Sequence, residues 1–300
     1  IIRMQILAIE TSCDETAIAV VDCSGGPENP SFSVRAHVVA TQIETHRPFG
    51  GVVPSLAKRE HLKNLPLVFE SVADQLKAEG CKMEPGLIAV TVGPGLEPAL
   101  WTGINFANGL AKKLLVPLVG ANHLEGHMYS NWLALSGVEG RGPIHIAFPA
   151  IMLLVSGGHT ALVRMDSMKE WEKIGETQDD AAGEAFDKVA KMLGLPYPGG
   201  PEVERAARAG NPDAIPFPRP MLHSGNFDFS FSGLKTAVLY HLKANGAMAA
   251  DEAFRTDVCA SFQKAAVDVL AAKTLRAADE CGAQSILLCG GVAGNGALRA

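Results

Sequence analysis

Two histidines four residues apart, His123 and His127, bracket Leu124-Glu125-Gly126. On a helix, positions i and i+4 lie one turn apart on a single face, so both imidazoles can address one ion. A zinc peptidase built on the same spacing places its general-base glutamate directly after the first histidine. Leu124 stands there instead, and Glu125 falls roughly 200° round the helix from His123, off the ligand face. It is poorly placed to activate a metal-bound water, so a metal-dependent peptidase is the disfavoured reading of the pair. Two surface or core-edge histidines are the plain alternative to a metal site.

Two glycine-rich turns have the chemistry to hold a phosphate. Ser156-Gly157-Gly158-His159-Thr160 follows an apolar run and presents backbone amides with no side chains in the way. Taken alone, a hairpin turn needing positive φ is the favoured account of it over phosphate binding. Gly290-Gly291-Val292-Ala293-Gly294-Asn295 follows a strand-like run and precedes a helix start at Ala297, the place where α/β folds hold nucleotides. In the acidic run Asp179 to Lys188, Asp179 and Asp180 read as caps for the helix they precede. Asp187 lies two turns in, beyond the reach of capping, and reads as a ligand-hydroxyl contact or a surface ion pair. Gly199-Gly200-Pro201 turns the chain or lets an amide approach a ribose or phosphate, and Glu204 adds a carboxylate within one helical turn. Phe227-Asp228-Phe229-Ser230-Phe231-Ser232 alternates like a half-buried strand, with core packing favoured over base stacking.

These groups need elements to position them. Ile6 to Ile9 and Ala17 to Val21 form a hairpin joined by the polar turn Glu10 to Thr16, and the pattern returns at Ala150 to Arg164 around the Ser156 turn, which suggests an internal duplication. Helical periodicity covers Ala57 to Ala78, Gly103 to Leu114, Ala181 to Leu193 and Asp251 to Cys281; strands cover Leu87 to Val92 and Ser285 to Cys289. Gly137 to Pro149, with three glycines and two prolines, marks a boundary, giving domains of residues 1–140 and 141–300. Alternating strands and helices make this an α/β fold.

A chain of 300 residues that is 47% hydrophobic can bury a large core. Its longest apolar stretch, Ile144 to Val155, is broken by Pro149 and too short to span a bilayer, and no export signal is visible. Six cysteines without a Cys-x-x-Cys pair argue against a zinc knuckle or a thioredoxin-like site and suit a reducing cytosol. A net charge of -6 excludes sequence-independent coating of nucleic acid. Local basic clusters remain at Lys58, Arg59, His61 and Lys63 and at Lys112-Lys113, each also readable as a solvated helix face.

Read in order, IETSCDET, GGVVPSLAKREH, GPGL, HLEGH, SGGHT, DDAAGEAFDK, YPGGP, FSFSGLK and GGVAGN resemble the universal family that makes N6-threonylcarbamoyladenosine in tRNA, in its bacterial form, over about Gln5 to Arg299. The resemblance implies an actin-like ATPase-superfamily fold of two related α/β domains with a central cleft. It implies transfer of a threonylcarbamoyl group from threonylcarbamoyl-adenylate to N6 of adenine 37, beside the anticodon of tRNAs reading codons that begin with A. It assigns His123 and His127 to one divalent ion, iron in the family pattern, with zinc or magnesium as alternatives. Leu154, Val155, Ser156, Gly157, Gly158, Asp187, Gly200, Glu204 and Asn295 become the adenylate contacts, a site that ATP, ADP or AMP also fits. Glu10 is expected to face the transferred group. The implied partners are tRNA, an inert paralogue of the same fold and a small ATPase, in the cytoplasm and away from membranes. A non-catalytic actin-like scaffold is the remaining alternative, though it would lack the histidine pair and the Ser156 turn. The family's third metal ligand, an aspartate in a Thr-Asp-Asn stretch, would fall beyond Ala300 together with a closing helix, so the chain reads as C-terminally shortened; Met4 reads as a native start.

Overall fold

The computed structural model describes residues 2–26, 29–135, 146–246 and 251–300. The chain forms two compact units, Ile1–His145 and Ile146–Ala300. Most of the glycine- and proline-rich stretch expected between domains, residues 137–145, lies outside the described residues.

In the first unit, strands β1 (Ile2–Glu10), β2 (Glu15–Gly26) and β3 (Asn29–Thr41) form an antiparallel meander. Helices α1 (Ile43–His46) and α2 (Pro54–Ala78) lead to β4 (Leu87–Gly93), which pairs parallel with β1. Then α3 (Glu97–Leu114) leads to β5 (Leu118–Asn122), parallel to β4, followed by α4 (His123–Tyr129) and the short β6 (Ala134–Leu135). The sheet order is β5-β4-β1-β2-β3-β6. Side chains alternate across a strand, so Leu7, Ile9, Ile18, Val20, Ile88 and Val90 share one buried cluster with Leu65, Val68, Val72 and Leu76 of α2. The intervening positions Ala8, Ala17, Ala19 and Ala89 line a cavity of about 470 Å³ on the opposite face. Helix α3 starts at Glu97, earlier than its apolar pattern indicates, because Pro98 in its first turn presets the helical φ.

In the second unit, β7 (Ala150–Val155), β8 (Thr160–Met165) and β9 (Trp171–Glu176) run antiparallel, and β10 (Ser285–Cys289) joins the far side of β7 in parallel. The helices are α5 (Ala182–Met192), α6 (Gly199–Ala207), α7 (Ser232–Ala244), α8 (Glu252–Cys281) and α9 (Gly296–Arg299). Every residue of β7 is buried, as expected of a strand covered on both faces. Each unit therefore begins with an antiparallel hairpin whose first strand later gains a parallel neighbour, β4 beside β1 and β10 beside β7. Phe186, Phe229, Phe231 and Phe262 anchor the second core, each burial contributing about 1.5–3 kcal/mol. No helix among the described residues is long and apolar enough to cross a membrane.

Three local expectations change. The alternating Phe227–Ser232 stretch forms a single bridge, Phe229 to Thr177, rather than a strand. Phe229 and Phe231 stack on each other at 6.2 Å and are fully buried, because the chain must turn into α7 at Ser232. Asp179 and Asp180 do not cap their own helix: its N-cap is Ala181, with no side-chain bond. Asp179 instead reaches across to α7, accepting from the amides of Phe231 (2.8 Å) and Ser232 (3.1 Å), while Asp180 pairs with Lys188 (2.8 Å) and Lys235 (2.5 Å). Third, His61 belongs to no basic patch. It is fully buried, whereas Lys58, Arg59 and Lys63 are exposed and Glu60 pairs with two of them.

Candidate active site

In the first unit the site forms where β1, β4 and β5 end. Asn122 closes β5 and its side-chain oxygen accepts from the amides of Leu124 (2.8 Å) and Glu125 (3.3 Å), so α4 starts at His123 itself. This places His123 and His127 one turn apart, with their Nε2 atoms 3.1 Å from each other. The Nδ1 of His123 faces Ser12 Oγ at 3.1 Å and Glu10 Oε2 at 3.4 Å. An ionised carboxylate only accepts, so Nδ1 carries the proton and the Nε2 lone pair is turned toward His127. Glu125 makes no side-chain hydrogen bond to either imidazole among the described residues.

Glu10 lies on the same strand face as Ala8, and its carboxylate also accepts from the Ser12 amide and the Thr91 hydroxyl. Burial pushes its pKa up, but the hydrogen bonds from His123, Ser12 and Thr91 outweigh that and hold it at about 2. With its pKa held that low, Glu10 is ionised at neutral pH and faces His123 Nδ1 as an acceptor. The turn after it is fixed by α3: Leu96 donates its amide to Ser12 O at 2.8 Å, and Thr11 Oγ1 donates to Ala99 O at 3.0 Å. Gly95 is required there, since a Cβ would lie 2.6 Å from Ser12 O.

In the second unit the residues named from sequence gather at the carboxyl ends of the parallel pair β7 and β10. Leu154 and Val155 bury their side chains, leaving only backbone to offer a ligand. The Ser156 turn closes with Ser156 N donating to His159 O (2.8 Å) and His159 N donating to Ser156 Oγ (3.1 Å). Gly157 and Gly158 are exposed, and their amides meet no acceptor among the described residues. Gly183, at the start of α5, donates to Ser156 O at 3.2 Å. Gly290 has φ +91, and a Cβ there would lie 2.4 Å from Val155 O, so the two turns touch through bare backbone.

The polar side chains of this group hold that backbone in place. Asp187 accepts from Gly199 N at 2.7 Å, anchoring the α6 N-terminus, where half-buried Gly200 has open space beside its α-carbon. Glu204 accepts from Gly296 N (3.2 Å) and Arg208 (3.2 Å). Asn295 caps α9 through the amides of Ala297 (3.0 Å) and Leu298 (3.2 Å) and donates to Gln263 at 2.9 Å. Sequence reasoning missed Ser12, Thr91 and Gln263, all of which contact named residues. Ser12 and Thr91 had a usable signal: Ser12 stands two residues after Glu10 in the same turn, and Thr91 follows Val90, the partner of Ile9 in the β1–β4 register.

Residues 33–300 match the family model for tRNA N6-adenosine threonylcarbamoyltransferase. A protein of that name from Geobacter metallireducens is 48% identical over 296 residues, covering 99% of this chain and 81% of its own length. Its counterpart from Moorella thermoacetica is 51% identical over 295 residues, covering 98% and 81%. That from Bacillus subtilis is 49% identical over 297 residues, covering 99% and 80%. Among solved structures, T. kodakarensis HypF superimposes with a TM-score of 0.56 at 14% identity, over 99% of this chain and 42% of that one. That likeness concerns the fold alone, which is the actin-like ATPase fold. Sharing about half its positions with such proteins along nearly all of its length, the chain belongs to the tRNA N6-adenosine threonylcarbamoyltransferase family.

Proposed function

We propose that this protein transfers the threonylcarbamoyl group of threonylcarbamoyl-AMP to N6 of adenine 37 in tRNAs that read codons beginning with A. The observation that carries the reading is 48% and 51% identity, over 98% or more of the chain, to proteins named tRNA N6-adenosine threonylcarbamoyltransferase. In the reaction N6 forms a bond to the carbamoyl carbonyl carbon, the carbon–oxygen bond to phosphate breaks, AMP leaves with the electron pair, and N6 loses one proton. The exocyclic amine of adenine is a weak nucleophile, so holding both reactants in place outweighs any single base. The saturated Glu10 carboxylate agrees with that emphasis.

In this reading the exposed amides of Gly157 and Gly158 receive the AMP phosphate, with Leu154, Val155 and Ser156 contributing backbone and Asp187, Gly200, Glu204 and Asn295 shaping the adenylate site. ATP, ADP or AMP would fit the same place. His123 and His127 hold one divalent ion. Their facing Nε2 atoms, 3.1 Å apart, fit a shared borderline ion such as iron or zinc better than magnesium. Among the described residues no third His, Cys, Asp or Glu joins them. When bound, that ion supplies Lewis acidity toward the anhydride carbonyl. The chain works in the cytoplasm with tRNA, an inert paralogue and a small ATPase.

The test is to incubate the chain with those partners, threonylcarbamoyl-AMP, divalent ion and unmodified tRNA, and to look for N6-threonylcarbamoyladenosine by mass spectrometry. Product that depends on the chain is expected. Its absence with every component present would remove the transferase reading.

A further inference from the structure

Behind the first site a buried chain of hydrogen bonds runs in one direction. Val53 N donates to His46 Nδ1 at 3.3 Å, so that nitrogen is bare and His46 Nε2 donates to Gln42 Oε1 at 3.1 Å. This turns the Gln42 amide nitrogen toward Ala57 O (3.4 Å) and His61 Nδ1 (3.2 Å), both acceptors. Thr16 Oγ1 also lies 2.8 Å from His61 Nδ1. His61 Nε2 then faces Cys13 O at 3.0 Å, and a carbonyl only accepts, so Nε2 bears the proton. His46, His61 and Thr16 are 0% exposed and Gln42 2%. Burial holds the His61 pKa below the ordinary imidazole range, which agrees with the neutral form.

The chain ends on the turn that carries Glu10 and Ser12. Ser12 O is held from α3 and Cys13 O from α2, so consecutive carbonyls are fixed by two different helices. Between them they set where Ser12 Oγ and the Glu10 carboxylate meet His123 Nδ1.

We propose that His61 is a positioning residue: by donating from Nε2 to the Cys13 carbonyl it fixes the Ser12–Cys13 turn, and through Ser12 and Glu10 it keeps His123 Nε2 aimed at His127. The consequence for ion binding rests on the reading of that pair as ligands; the consequence for the His123 ring does not. Outer partners of metal histidines are commonly worth 10–100-fold in affinity, and one step further out the effect should be at the lower end. Gln at position 61 can place an amide N–H near the Nε2 position, whereas Leu fills the volume and donates nothing.

The experiment compares wild type, His61→Gln and His61→Leu by long-range imidazole nitrogen NMR without metal, by thermal melting, and by Zn²⁺ titration. Wild type should show His61 protonated at Nε2 and His123 at Nδ1. His61→Leu should melt cooperatively yet show mixed His123 tautomers and about tenfold weaker Zn²⁺ binding, and His61→Gln should restore both. A folded His61→Leu with unchanged His123 signals overturns the proposal. Where that variant fails to fold, His61 protonated at Nδ1 in wild type, or His123 as disordered in His61→Gln, overturns it instead. Wild type that binds no Zn²⁺ counts against the ligand reading alone, and the tautomers still decide the role of His61.

Discussion

The candidate groups of the two units are built in opposite ways. In the first unit the chemistry is carried by side chains: two imidazoles, a carboxylate and two hydroxyls meet, with a buried polar chain behind them. In the second, the carboxylates of Asp187 and Glu204 and the amide of Asn295 bind the protein itself, backbone amides together with Arg208 and Gln263, and what faces outward in the Ser156 turn is glycine. Residue identity therefore specifies function in the first unit and shape in the second. Losing a side chain should silence the first while leaving it folded; adding one should deform the second.

The sharpest way to break that contrast is Gly290→Val. The added carbons must displace β7 or leave the +91° conformation, so urea unfolding should show a loss of about 2–3 kcal/mol, with AMP affinity lost in calorimetry. Stability unchanged within about 0.5 kcal/mol would mean the turn tolerates side chains after all. Next come His123→Ala and His127→Ala. Each should weaken Zn²⁺ binding about 100-fold or more while shifting unfolding by less than about 1 kcal/mol, since the His123 side chain is 24% exposed and not part of the core. Loss of fold in step with loss of ion would make the imidazoles structural.

The smallest effect concerns Asp180, the ion-paired link between α5 and α7. Burial raises its pKa, but the bonds from Lys188 and Lys235 more than offset this and leave it below the ordinary 3.8. A depressed acid contributes stability above its unfolded value and loses it as pH falls through the folded one. Asp180→Asn should accordingly reduce stability at pH 7 by about 1 kcal/mol or less and flatten the acid limb of a melting series below about pH 4. A variant whose acid limb stays as steep would show the pair to be energetically idle.

Legibility followed the same division. Spacing alone placed His123 and His127 together, because i,i+4 on a helix is a local rule, and glycines after apolar runs located both turns for a similar reason. What failed was anything set by partners distant in sequence. His61 looks like part of a basic helix face beside Arg59 and Lys63, yet its ring points inward to Cys13, 48 positions away. Asp179 looks like a cap for the next helix along the chain but serves the one starting 53 positions later. Phe227 to Ser232 alternates correctly for a strand and finds no neighbouring edge to pair with beyond Thr177. Periodicity reports which face is apolar; it does not report what stands opposite.

The pairing of β10 with β7 has a consequence in time. Everything needed for the histidine site, from Glu10 to His127, has been synthesised before β7 is begun, and the strand that leads into Gly290 is completed only at Cys289. At ~5–20 residues per second this leaves a gap on the order of ten seconds. Over that interval β7, apolar along its whole length, has β8 on one edge and nothing native on the other. During synthesis the nascent chain is therefore open to pairing with a foreign strand at the place where the Ser156 and Gly290 turns will later meet.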